Sequence, residues 1–150
     1  MIIAIDGPAG SGKSTVAKSL AADLGFTFMN TGSFYRAVAL AVLRSLGGNE
    51  SGAGASSPDL EDEAKWTAFA RTVPLEYRRD GMYLGGGCVE PYLRSDAVES
   101  IVAALSAIVP IRHLVNEKIR SAAAMLNIVC EGRDMTTVVF PHAECKVYLD

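Results

Sequence analysis

Ile2-Ile3-Ala4-Ile5-Asp6-Gly7-Pro8-Ala9-Gly10-Ser11-Gly12-Lys13-Ser14-Thr15 opens the chain, and its reading decides the fold. Ile2 to Ile5 is apolar without alternation and ends at an acid and a Gly-Pro turn, the pattern of a strand buried on both faces of a parallel sheet. Gly7 to Ser14 fits G-x-x-x-x-G-K-[ST] in full; two glycines at fixed places alone recur by chance only about once in 200 windows. From Lys13 onward Val16, Ala17, Leu20, Ala21 and Leu24 form the stripe of an amphipathic helix, with Gly25 placed to end it. A strand, a glycine loop and a helix in this order make a phosphate-binding loop. Glycines let backbone N–H groups turn inward around phosphate oxygens, and the helix adds the positive end of its dipole. Lys13 can reach the β- and γ-phosphates of a nucleotide, and the Ser14 hydroxyl can complete the shell of a Mg²⁺ ion, which takes few protein ligands.

The remaining pattern extends this unit into an α/β chain. Phe26 to Met29 predicts a second strand, and Asn30 or Thr31 the cap of a helix to about Leu46 that is apolar nearly all round and therefore buried. Gly47 to Pro58, rich in glycine and serine, reads as a mobile loop. Ser57-Pro58-Asp59-Leu60-Glu61 predicts a helix start with a capping serine, followed by the apolar stripe Trp66, Phe69, Ala70 and Val73. Leu75 to Arg78 and Met82 to Leu84, joined at Arg79-Asp80-Gly81, predict a hairpin inserted into the α/β chain. Ser95 or Asp96 caps a helix bearing Val98, Ile101, Val102 and Leu105, which Pro110 breaks or kinks before a second helix to about Leu126. Ile128 to Cys130 and Lys146 to Leu149 read as further buried strands.

Bulk properties bound the rest. A chain of 150 residues, 49% hydrophobic and 21% charged, is long enough for one compact domain and too apolar for disorder. Its net charge of -3 supplies no broad positive field for nucleic acid, so any anion must be held by a local site. The N-terminus lacks a basic n-region, and no run approaches the roughly 18 apolar residues of a membrane span, so a cytoplasmic location is expected. Cys88, Cys130 and Cys145 form no C-x-x-C or Cys/His cluster, which leaves them as reduced structural thiols; His113 and His142 are assigned no role.

A phosphate loop does not name an acceptor, so the arginines carry that argument. Arg36 interrupts an apolar helix, and a buried guanidinium without a counter-charge is costly, so it either snorkels to solvent or meets an anion. Glu131-Gly132-Arg133-Asp134 follows a buried strand, and ligands of doubly wound folds bind at the carboxyl ends of strands. Arg133 is thus either a bidentate phosphate clamp or part of an Arg-Asp surface turn with a local ion pair. Arg112, after the Pro110 break, is either a ligand contact or a solvated helix residue.

Three stretches together resemble bacterial cytidylate kinases: Ile5 to Thr15, Thr31-Gly32-Ser33-Phe34-Tyr35-Arg36-Ala37-Val38-Ala39-Leu40, and Gly132-Arg133-Asp134-Met135-Thr136-Thr137-Val138-Val139-Phe140-Pro141. Leu93-Arg94-Ser95 and Val109-Pro110-Ile111-Arg112 agree with the same pattern. The resemblance implies a P-loop kinase, a parallel sheet flanked by helices, with a small β-rich insertion at about 60–95 that binds the nucleoside monophosphate. It implies ATP on Gly7, Pro8, Ala9, Gly10, Ser11, Gly12, Lys13, Ser14 and Thr15, with Mg²⁺ at Ser14, and phosphoryl transfer to CMP or dCMP. Arg36 and Arg133 would hold the CMP phosphate, Thr31 would lie close to the nucleotide, and Arg112 and Asp134 would hydrogen-bond the cytosine edge. Lys13 and Arg133 would be the catalytic residues, in a monomer.

The chain departs from that pattern at Asn30, where aspartate is usual, at Ala103, where a serine often contacts the cytosine, and at Thr136, where glycine is usual. The family also continues past the strand ending at Asp150 into an arginine-bearing lid, so a longer protein is expected. Two other readings of the motifs stay open: a P-loop kinase of another small acceptor, and a nucleotide-binding module without turnover. The guanine signature N-K-x-D is absent, which disfavours a GTPase form of the second.

Overall fold

The computed structural model describes every residue from Met1 to Asp150, and its contacts divide the chain into two units. The first comprises Met1–Gly32 and Ile119–Asp150, the second Ser33–Lys118.

In the first unit β1 (Ile2–Asp6), β2 (Thr27–Asn30), β6 (Ile128–Glu131) and β7 (Cys145–Tyr148) form a parallel sheet in the order β2-β6-β1-β7. Ile3, Ala4 and Ile5 are buried, as the unbroken apolar run requires, and Val129 lies against Ile3 and Ile5 in a core shared with Ala17 and Ala21 of helix α1 (Lys13–Leu24). The helix buries a narrower face than its apolar stripe implies. Ala17 and Ala21 are packed and Leu20 is partly so, whereas Val16 and Leu24 are exposed, because two small residues bring the helix backbone close to the sheet and leave the flanks in water. Gly25 ends the helix in the left-handed conformation. The last strand corrects an expectation of burial. β7 pairs only with β1, at one edge of the sheet, and three of its four residues are exposed.

The second unit holds most of α2 (Gly32–Ser45), then α3 (Glu63–Thr72), a three-stranded antiparallel sheet of β3 (Leu75–Arg78), β4 (Gly81–Leu84) and β5 (Gly87–Cys88), α4 (Asp96–Ser106), and the start of α5 (Val109–Ala123). The hairpin has the expected ends, with Leu75 facing Leu84 across the pair, and gains β5, too short to show a pattern in the sequence. The segment at about 60–95 is part of this larger unit. Helix α2 buries an unbroken series from Ala37 to Leu43, and each such Val or Leu contributes roughly 1.5–3 kcal/mol relative to exposure. Phe34 stacks on Tyr77 of β3 with ring centroids 5.5 Å apart.

Two local expectations are corrected here. Helix α3 starts at Glu63, not at Pro58: the Asp62 carboxylate accepts from Lys65 N at 3.2 Å, while Asp59 is consumed in a turn, its side chain accepting from Glu61 N and its carbonyl from Trp66 Nε1. The glycine- and serine-rich loop is also more ordered in form than a mobile tether. Asn49 Oδ1 accepts from Ser51 N, Ser51 Oγ and Ala53 N, and the Arg44 guanidinium donates to Glu50 O. Ser95 caps α4 as expected, accepting from Val98 N. The break before α5 falls at Ala107 and Ile108, with the two helices bent by 106°. Pro110 sits in the first turn of α5, where its missing N–H has no intrahelical partner to lose. No single helix is long and apolar enough to cross a membrane.

Candidate functional site

The register of the parallel sheet gathers the first unit's chemistry at one end. Asn30 pairs in register with Glu131, and Glu131 with Ile5, so the ends of β2, β6 and β1 lead side by side into Thr31, Gly132 and the glycine loop. The loop enters α1 through Gly12, whose φ of 87° is left-handed and would cost an L side chain about 1–2 kcal/mol. No side chain caps α1, so its first-turn N–H groups lack an acceptor within the helix. Lys13 Nζ donates to Pro8 O at 2.9 Å, which lays the ammonium along the loop. The Ser11 hydroxyl is buried without a hydrogen-bond partner, an arrangement that ordinarily costs about 1–3 kcal/mol and that suits a loop built around an anion.

Behind the loop stands an acid for which the sequence had offered no role. Glu131, only 7% exposed, accepts the Ser14 hydroxyl at 2.7 Å, and Asn30 Nδ2 reaches the same oxygen at 3.4 Å while Asn30 Oδ1 accepts from Gly32 N. A hydroxyl beside a carboxylate is a hard-oxygen pair, the donor type Mg²⁺ prefers. No group of three or more His, Cys, Asp or Glu side chains is gathered that could hold a metal alone. Ser14 and Glu131 therefore fit the ion.

The turn after β6 is held by Asp6. Its Oδ1 accepts from Met135 N at 2.8 Å, and its Oδ2 from Thr136 N at 2.9 Å and Thr136 Oγ1 at 2.6 Å. These bonds fix Asp134 at φ 54°, the one left-handed non-glycine residue in the chain, and lead into a π-helical turn at Met135–Val139. Thr136, where glycine is usual in the family, adds a hydroxyl bond to this turn. Gly132 is required by close approach, since a Cβ there would lie 2.3 Å from Thr31 Oγ1. Thr31 itself is buried and donates its hydroxyl to Glu131 O. Arg133 and Asp134 are exposed, and neither side chain makes a hydrogen bond or ion pair, so the turn is not held by an Arg-Asp pair of its own.

In the second unit Arg36 meets an anion, and that anion belongs to the chain. Its NH1 donates to Leu93 O at 3.2 Å and to Glu99 Oε1, with the arginine side chain 20% exposed and the glutamate 48%. The Nε and NH2 edge carries no partner. Arg112 is exposed and lies against the Tyr35 hydroxyl, which donates to Asn116 Oδ1 at 3.3 Å. Burial raises the Tyr35 pKa, and the positive charge and hydrogen bond of Arg112 work against that rise. Ala103 is exposed on α4 and offers only a methyl group.

The first unit thus brings Gly7–Thr15, Thr31, Arg133 and Asp134 to one end of one sheet, and the second sets Arg36 beside Glu99 and Arg112 beside Tyr35. Glu131, Asp6, Glu99 and Tyr35 escaped sequence reasoning. Glu131 and Asp6 left a signal, each an acid closing a strand whose other residues are apolar.

A glycine loop between the first strand and first helix of a parallel sheet, with an acid behind its serine and an antiparallel sheet inserted in the chain, defines an α/β protein of the P-loop kinase class. The comparison with known proteins narrows the class: the cytidylate kinase family model matches residues 3–150. The chain is 38% identical over 149 residues to the cytidylate kinase of Chlorobaculum tepidum, covering 99% of this chain and 60% of that one. It is 40% identical over 147 residues to that of Caldanaerobacter subterraneus, covering 98% and 61%, and 38% identical to that of Thermodesulfovibrio yellowstonii, covering 99% and 64%. This chain belongs to the cytidylate kinase family. It spans less than two thirds of the length of these relatives.

Proposed function

We propose that the protein transfers the γ-phosphoryl group of ATP to CMP, and to dCMP; the relatives it resembles are named cytidylate kinases. The observation that carries the proposal is the arrangement at the end of the parallel sheet: a phosphate loop with Ser14 against Glu131, one strand away from a turn that presents Arg133 and Asp134 without partners. Phosphoryl transfer asks little covalent chemistry of a protein, so catalysis is positioning and charge stabilisation, with no general base needed. The loop N–H groups and Lys13 would hold the triphosphate, Thr15 follows on the same helix turn, and Ser14 with Glu131 would hold Mg²⁺, which would supply charge neutralisation at the phosphates. Arg36 and Arg133 align the acceptor phosphate in line, Thr31 fixes the turn beside it, and Arg112 and Asp134 read the cytosine edge.

Ala103 contributes no base contact in this scheme, so discrimination rests on Arg112 and Asp134. A site whose donors and acceptors are matched to one base rejects others because its own groups would be left unpaired. The three free thiols fit a reducing cytoplasm. An acceptor panel tests the reading. ADP formation with CMP and dCMP well above that with UMP, AMP and shikimate is expected; preference for a non-pyrimidine acceptor would replace the reading with the other kinase one.

A further inference from the structure

A guanidinium has two edges that can grip phosphate in a fork, and Arg36 has committed one nitrogen only. NH1 donates to both Leu93 O and Glu99 Oε1, while Nε and NH2, the pair that makes a side-on fork, carry no partner. The two acceptors come from separate places in the second unit: Leu93 lies just before the Ser95 cap of α4, and Glu99 one turn into that helix. Leu93 is buried and anchored, its N–H donating to Glu90 O. Arg36 springs from α2, whose neighbouring residues Ala37, Val38 and Ala39 are fully buried. A long side chain on such a helix has many rotamers, and ordering one carries an entropic cost.

We infer that Glu99 is a positioning residue for the acceptor phosphate: together with Leu93 O it holds the NH1 corner of Arg36, so that the Nε and NH2 edge is presented ready for a phosphate fork. This rests on the proposed role of Arg36 and adds to it a residue with no contact to substrate. The carboxylate also supplies the counter-charge that a partly buried guanidinium needs. In the competing role the carboxylate would occupy the arginine and phosphate would have to displace it. The geometry favours positioning, because competition for the fork would engage Nε or NH2.

Calorimetric titration of CMP, cytidine and ATP into the purified protein and its Glu99→Ala, Glu99→Gln and Arg36→Ala variants tests the inference. CMP binding is expected to weaken about tenfold in Glu99→Ala, in keeping with one hydrogen bond to a charged group, and to recover most of that in Glu99→Gln, which keeps the acceptor oxygen. Cytidine, without a phosphate, and ATP should bind all variants alike. Unchanged or tighter CMP binding in Glu99→Ala overturns the positioning role, and so does equal weakening of cytidine, which would mark a merely structural contact. CMP binding that is absent in the unsubstituted protein, or indifferent to Arg36→Ala, would instead bring down the underlying reading of the site.

Discussion

Asp6 shows how much one side chain can organise. Its carboxylate accepts three hydrogen bonds from the turn that displays Arg133 and Asp134, at 2.6 to 2.9 Å, and so offsets the strain of a left-handed aspartate. Asp6→Asn would set an amide donor against donors, and we expect it to lower stability by about 2 kcal/mol in urea denaturation. Cys130 offers a second prediction. It is fully buried, its thiol donates to Ile3 O, and burial above all pushes its pKa up to about 12, so Cys88 and Cys145 should react with a thiol reagent in the native protein and Cys130 only on unfolding. The sign for stability follows: above a pH of about 9 the unfolded thiol ionises while the folded one does not, so this group destabilises the fold progressively between about 9 and 12. At this scale Lys13 and Ser14 were legible because their spacing along the chain is itself the motif. Asp6 and Glu131 were not, because their partners are more than 100 residues away and meet them only through strand register.

Helices and strands were legible where a local period or cap decided them. β1, α1 and the Ser95-capped α4 follow from apolar pattern and cap chemistry that act over a few residues. The start of α3 was misread because Ser57-Pro58 carries a start signal of its own, yet Asp62 makes the cap bond. Asp62→Ala should therefore lower stability by about 1 kcal/mol, and Ser57→Ala should leave it unchanged within error, both read by thermal or urea unfolding. β7 was misread for a different reason. Val147 and Leu149 pack on the core while Cys145, Lys146 and Tyr148 are exposed, and whether a strand lies at the centre or the edge of a sheet is a fact of topology that its own residues record poorly.

For the whole molecule, the phosphate loop was readable and the proposed acceptor residues were not, for a structural reason. Lys13, Ser14, Arg133 and Asp134 belong to the first unit and Arg36 and Arg112 to the second, so residue type and spacing alone left each arginine with two readings until the family pattern was set beside it. The structure answers one of those choices by pairing Arg36 with Glu99. If Arg112 reads the base, Arg112→Ala should weaken CMP about tenfold or more and leave ATP nearly untouched, by equilibrium binding of each nucleotide; equal loss for both would count against that role. The central claim is more direct: the loop and the arginines serve a single transfer from ATP to CMP. It is tested by ADP release from ATP, with and without CMP, in the unsubstituted protein and in Lys13→Ala. The account predicts release that requires CMP and falls by about 10² in the variant, as for loss of one preorganised charge contact. ADP release indifferent to CMP, or near-normal turnover in Lys13→Ala, would contradict it.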